Sequence, residues 1–264
     1  MLNVARSGKR IVLALEEDLL LVFHLMIAGR FHWRAAGSRI PGKVGLAAFD
    51  FPAGTLLLTE ASSRKRASLH IVQGASGPAA FQRSGVEVLD VPLEVFREAL
   101  WRESHTLKRA LTDPDLFSGI GNAYSDEILH RARLSPLKLT RQLTEPEVER
   151  LYRAAQGTLR EWIERLRAEL DGDFPEKVRA LRPEMSVHGR FGQPCPTCGT
   201  PVQRIVYAEN ECNYCPLCQT EGRLLADRAL SLLLKKDWPR TLEEMEQRRQ
   251  VTAAGAPSGP IPAG

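Results

Sequence analysis

Two cysteine pairs near the C-terminus, Cys195-Pro196-Thr197-Cys198 and Cys215-Pro216-Leu217-Cys218, stand sixteen residues apart. This C-x2-C-x16-C-x2-C spacing constrains the chain more than any other feature. Each pair sets two thiolates on one tight knuckle, and two knuckles on neighbouring strands bring four sulfurs within tetrahedral reach of one zinc ion. Four protein ligands leave no open coordination position, so the expected zinc is structural, one per chain. Disulfides are the competing use of these residues. Five cysteines make no even set, and no apolar signal peptide precedes them, which fits a reducing, cytoplasmic compartment. The fifth, Cys212, lies three residues before Cys215 and is expected to be a spare buried thiol.

At 264 residues the chain can hold one large domain or two to three small ones. No apolar run approaches bilayer length, so no membrane partner is expected. A net charge of +4 admits nucleic acid as a partner without selecting it. Residues 1–90 read as β, with short apolar runs at 10–15, 19–25, 46–51 and 55–59 bounded by turns such as Glu16-Glu17-Asp18 and Pro52-Ala53-Gly54. That pattern suits a sandwich. Residues 91–185 turn helical: Leu93, Phe96, Leu100 and Trp101 recur at helical spacing, as do Val148, Leu151, Ala155, Leu159 and Trp162. Residues 186–220 carry the zinc module. A helical extension over 221–250, with an amphipathic stretch from Leu224 to Lys236, and a disordered tail over 251–264 complete the expected layout.

One helical segment carries chemistry. Gly119-Ile120-Gly121-Asn122 separates a helix through Lys108 from a second helix opening at Asn122. Backbone N–H groups at such a helix start make an anion site, and with Lys108 nearby a DNA phosphate is the natural anion. The same residues fit an ordinary helical hairpin whose glycines merely permit the turn. On this segment alone the two readings weigh equally.

The run Gly119-Ile120-Gly121-Asn122-Ala123-Tyr124-Ser125-Asp126-Glu127 resembles the helix-two-turn-helix (H2TH) of the formamidopyrimidine-DNA glycosylase and endonuclease VIII family. Val187-His188-Gly189-Arg190-Phe191-Gly192-Gln193-Pro194-Cys195 resembles the start of that family's zinc finger. Gly8-Lys9 and His24-Leu25-Met26-Ile27-Ala28-Gly29 are similar to segments of its N-terminal β-sandwich. The resemblance implies a multidomain α+β protein: a truncated β-sandwich, an H2TH domain and a C-terminal zinc ribbon. It implies base-excision repair of double-stranded DNA carrying an oxidised base or abasic site, by a monomer associated with the nucleoid. The family flips the damaged nucleotide out, because the reacting sugar carbon is inaccessible while the base is stacked. Its N-terminal proline amine then forms a Schiff base with the sugar.

By the same resemblance Lys9 is the lysine that assists β-elimination, and Lys108, Gly121 and Asn122 face DNA. Asn210 stands where the family places an arginine that grips the lesion phosphate. Lys65 and Arg66, followed by Ala67, stand for an Arg-Arg-Phe wedge. Ile27 aligns with a void-filling methionine, with Met26 one position off. The family opens Pro-Glu-Leu-Pro-Glu, whereas this sequence opens Met1-Leu2-Asn3-Val4-Ala5. The nucleophile, its acid and the first helix and strands of the sandwich are therefore expected to be missing, so this chain is expected not to trap abasic DNA efficiently. A catalytically inactive, zinc-dependent damaged-DNA-binding protein is the alternative expectation. A zinc-ribbon adaptor that binds protein is a third.

Overall fold

The computed structural model describes residues 1–74, 84–176, 182–207, 210–226 and 238–254. Seven N-terminal strands form two antiparallel sheets. The first runs β1 (Asn3–Ser7), β2 (Arg10–Ala14), β3 (Leu19–His24), β7 (Ser68–Gln73), and the second runs β4 (Gly29–Arg34), β6 (Gly54–Glu60), β5 (Gly45–Phe51). Alternation along β2 and β3 turns Leu13, Leu21 and Phe23 inward, where they meet Leu56 and Leu58 of the opposite sheet. Phe23 sits edge-on to Phe31 at 5.1 Å and to Phe49 at 5.3 Å, an arrangement favoured by the ring quadrupoles. The two inner faces thus close into a sandwich. The central strand β6 is buried along its whole length, which is why its sequence reads as a continuous apolar run.

The helical domain contains α1 (Leu93–Trp101), α2 (Leu107–Thr112), α3 (Asn122–Ala132) and α4 (Glu145–Leu170). A short parallel pair, β8 (Val86–Glu87) with β9 (Phe117–Ser118), enters beside them. Thr144 and Glu147 cap α4 reciprocally, and Pro146 suits its first turn, where no N–H partner is lost. The periodic residues Phe96, Leu100, Val148, Leu151 and Ala155 join Leu107, Leu111, Ile128 and Leu129 in one core. Glu176, just beyond α4, ties this domain to the sandwich. Its carboxylate accepts from Arg34 at 2.6 and 3.0 Å, lies 2.8 Å from His32 Nδ1, and is held at a pKa of about 2, chiefly by the Arg34 hydrogen bond.

The C-terminal module is a hairpin of β10 (Gln203–Tyr207) and β11 (Asn210–Tyr214) followed by the short α5 (Pro216–Thr220). A last helix, α6, covers Leu242–Ala254. It runs through residues 251–254, so the expected tail begins later than 251: no glycine or proline interrupts the chain until Gly255. Residues 255–264 and most of the expected helix from Leu224 to Lys236 lie outside the described residues. No described helix is long and apolar enough to cross a membrane.

Candidate functional site

The four paired cysteines converge. All four Sγ atoms lie within 4.8 Å of one another, with Cys198 and Cys215 at 3.4 Å and Cys195 and Cys218 at 4.0 Å. A tetrahedron with zinc–sulfur bonds of about 2.3 Å has edges of about 3.8 Å, so this donor set fits one closed structural zinc. The first knuckle is shaped by its backbone: Gly199 N–H donates to the Cys195 carbonyl at 2.9 Å, and Gly199 takes φ +77°, a conformation glycine adopts without a Cβ clash. Cys212, buried on β11, stands outside this group, and burial, aided by the nearby Asp126 charge, pushes its thiol far above the ordinary range.

One face of α3 grips this module through side chains at four positions. Asn122 Nδ2 donates to the Glu211 carbonyl at 2.9 Å. Asp126, fully buried, accepts from Asn213 N–H at 3.1 Å and lies 2.8 Å from His188 Nδ1. Glu127 receives the N–H groups of Ser186, Val187 and His188 at 2.7 to 2.9 Å. His130 Nε2 stands 3.2 Å from the ligand sulfur of Cys195, with both residues buried. A hydrogen bond to a ligating thiolate orients it and spreads its charge. His130→Phe should therefore lose zinc to a competing chelator with about 10- to 100-fold weaker apparent affinity. Zinc retention equal to the parent protein would remove His130 from this role.

The start of α3 opens onto a cleft. Gly119 turns the chain at φ +87°, and among the described residues no side chain caps the first N–H groups of α3. From the sandwich, the Gly8-Lys9 turn between β1 and β2 docks against this point. Glu87 receives Gly8 N–H at 2.9 Å and the Arg6 guanidinium at 2.8 and 3.2 Å. Gly8 takes φ +58°, and a Cβ there would come 2.8 Å from Ser118 Oγ, so glycine favours the close approach. The docking sets Lys9 Nζ over Gly121, 3.5 Å from where a Cβ would stand.

Lys9, Lys108, Arg109, Gly121, Asn122 and Asn210 line this cleft of about 620 Å3, with Glu211 on the hairpin side. A second cavity of about 460 Å3 adjoins Lys9, bordered by Arg6, Arg10, His24 and Ser118. Three modules therefore bring five residues marked in the sequence to one place. Although Lys9 as a residue is solvent-accessible, desolvation by the surrounding protein lowers its pKa. His24 is also lowered, first by burial and then by the charges of Arg10 and Lys9.

Lys108 has a different part from the expected phosphate contact. Its ammonium donates to the Asn122 carbonyl at 2.8 Å, to Ser125 Oγ at 2.7 Å and to Asp126 Oδ1 at 2.5 Å. Three donors are spent inside the protein, so Lys108 holds the turn. Lys65 and Arg66 are not brought to the cleft. Their loop wraps Glu60, whose carbonyl accepts from Lys65 Nζ and whose carboxylate accepts the N–H groups of Arg66 and Ala67. Met26 and Ile27 form an exposed tip between β3 and β4. Asp126, Glu127, His130, Arg109 and Glu211 take parts that sequence reasoning misses. A polar residue every fourth position at 122, 126 and 130, in a helix buried almost all round, is the available signal.

A β-sandwich, a two-turn helical hairpin and a closed four-cysteine module meeting at one basic cleft define a helix-two-turn-helix protein with a structural zinc finger. Residues 86–170 match the formamidopyrimidine-DNA glycosylase H2TH domain, and residues 192–220 match the zinc finger found in FPG and IleRS. A formamidopyrimidine-DNA glycosylase of Thermus thermophilus is 35% identical over 234 residues, 84% of this chain and 83% of the relative. An uncharacterized formamidopyrimidine-DNA glycosylase-like protein of Mycobacterium tuberculosis is 39% identical over 155 residues, 57% of this chain and 94% of the relative. The crystal structure of the MutM (Fpg) protein from Thermus thermophilus superposes with a TM-score of 0.69 at 34% identity, covering 83% of this chain and 82% of that one. That of Lactococcus lactis formamidopyrimidine-DNA glycosylase, non-covalently bound to DNA containing an AP site, gives 0.70 at 26% identity, covering 83% and 80%. The chain belongs to the formamidopyrimidine-DNA glycosylase family.

Proposed function

We infer that this protein binds double-stranded DNA at damaged sites and acts in base-excision repair, as an N-glycosylase for oxidised bases joined to an abasic-site lyase. The convergence of Lys9, the open start of α3, Asn122 and Asn210 in one cleft carries this reading. Free N–H groups at a helix start, beside cationic side chains, suit a backbone phosphate. A relative of the same fold is bound to DNA containing an AP site, and another is in complex with DNA containing carbocyclic 8-oxo-G. The one zinc holds the hairpin that supplies Asn210. It has no open position and takes no part in the reaction.

A second reading, damaged-DNA binding without base release, is favoured by one observation. Among the described residues lining the two cavities, the carboxylates are Glu211 and Glu87, and each is engaged. Glu211 pairs with Arg204 at 3.2 Å, and Glu87 with Arg6. Neither stands in the cavities as an unpaired carboxylate. Incubating the protein with a duplex carrying one oxidised purine, then resolving strands before and after alkali, separates the readings. Base release with strand scission supports the glycosylase-lyase, whereas tight binding with intact DNA supports the second.

Both readings require the cleft to hold the backbone. Asn122→Ala should weaken duplex binding by about 3- to 10-fold, the value of one or two hydrogen bonds, with little dependence on sequence. Fluorescence anisotropy across a salt series measures this. Unaltered affinity with zinc still bound would take the Asn122 side chain out of the interface.

A further inference from the structure

We propose that the Lys9 amine is itself an imine-forming nucleophile toward the aldehyde of an abasic site, giving the cleft a covalent chemistry of its own. The inference rests on the DNA-binding reading above and adds the reacting atom. Geometry is its first support. Lys9 stands between the two cavities, of about 620 and 460 Å3, and among the described residues it and Thr112 alone line both. The Arg6–Glu87 pair and the Gly8 contact fix its turn, and Gly121 leaves room above it that a side chain would take. A sugar whose flanking phosphate lies at the start of α3 is then presented to this nitrogen.

The chemical environment is the second support. A lysine in water keeps a pKa near 10.4 and is almost wholly protonated at neutral pH. Desolvation at this site lowers the value, which raises the share of free amine. No carboxylate pairs with Lys9 among the described ion pairs, whereas Lys108, the other lysine of the cleft, is neutralised by Asp126 at 2.5 Å. The two lysines thus divide the work: Lys108 is structural and Lys9 is available to react.

In the step itself the Nζ lone pair adds to C1′ of the ring-opened abasic sugar. The carbonyl oxygen leaves as water, taking two protons from nitrogen, and a C=N bond replaces C=O. No oxidant or reductant is consumed. Borohydride delivers hydride to the imine carbon and fixes the adduct as a secondary amine.

The test uses the zinc-loaded chain, a duplex with a single abasic site and borohydride. Contrary to the expectation drawn from the N-terminal motif, a trapped protein–DNA species is expected, with mass spectrometry placing the sugar remnant on Lys9. Lys9→Arg should cut the trapped yield at least 10-fold, its zinc content and circular dichroism serving as the check on folding. A remnant mapped to the α-amine or to another lysine in the parent chain overturns the assignment, whatever the variant does. So does binding of the abasic duplex, seen by anisotropy, with no trapped species. Failure to bind that duplex at all brings down the functional reading, and this inference with it.

Discussion

Replacing any of Cys195, Cys198, Cys215 or Cys218 by serine should empty the zinc site and unfold the region around residues 192–220. Structural zinc supplies roughly 10–16 kcal/mol of apparent binding energy in small finger modules, and in such modules metal binding is folding. The local core here is small: Val187, Val202 and the cysteines Cys195 and Cys215 make up its buried set. Without the metal, four thiols held within 4.8 Å have no reason to stay together. The effect should reach the cleft, because hairpin β10–β11 presents Asn210 and Glu211 there. Zinc content measured by chelator release should fall from one to none per chain, and duplex affinity should fall at least 10-fold. Cys212→Ser is the contrasting variant, because Cys212 lies outside the ligand group on β11. Loss of zinc in Cys212→Ser, with retention in Cys198→Ser, would overturn the ligand set.

The zinc centre is legible in the sequence because its chemistry is written in spacing: two knuckles can be recognised without knowing what lies between them. The Gly119–Asn122 turn is half-legible. Its glycines announce a turn, and only the arrival of Lys9 and Asn210 from other modules distinguishes a binding site from a hairpin. The strands show the same division. Runs at 10–15, 19–25, 46–51 and 55–59 lie in β2, β3, β5 and β6, where apolar residues face a core. Strands β1 and β4 carry no such signal, because Asn3–Ser7 has few apolar residues and Gly29–Arg34 alternates aromatic with charged ones. Each is held by backbone pairing to a neighbour, β1 to β2 and β4 to β6, and no composition rule reports that. Lys108 and the Lys65-Arg66 pair show what charge alone cannot tell. A basic residue beside a turn or in a run reads as a phosphate contact. Whether its donors are free depends on an acid distant in sequence or on a carbonyl in a folded loop. For Lys108 that acid is eighteen residues away; for Lys65 the partner is the Glu60 carbonyl, and Arg66 meets the Glu60 carboxylate through its backbone N–H.

Asp126→Ala should be the most damaging single change outside the zinc ligands, at about 3–5 kcal/mol. Asp126 is fully buried and joins three segments: Lys108 of α2 at 2.5 Å, His188 of the connection to the zinc module at 2.8 Å, and the Asn213 N–H of β11 at 3.1 Å. Truncation leaves the Lys108 ammonium, whose side chain is 12% exposed, without its counter-charge, and strands the Asn213 N–H. The melting temperature should drop by about 8–15 °C, taking a few degrees per kcal/mol for a chain of this size. Removing both charges separates the two causes. Lys108→Met with Asp126→Ala relieves the unpaired ammonium but not the lost His188 and Asn213 bonds, so it should recover part of the loss and no more. A double-mutant cycle should give a coupling above about 1 kcal/mol. The position also predicts a functional signature. Because Asp126 sits one turn below Asn122, its loss should loosen the start of α3 and the β10–β11 hairpin together, weakening duplex binding even at temperatures where zinc stays bound. A stability change below about 1 kcal/mol in Asp126→Ala, or full additivity in the cycle, would show that the three segments are held by their apolar contacts and not by this carboxylate.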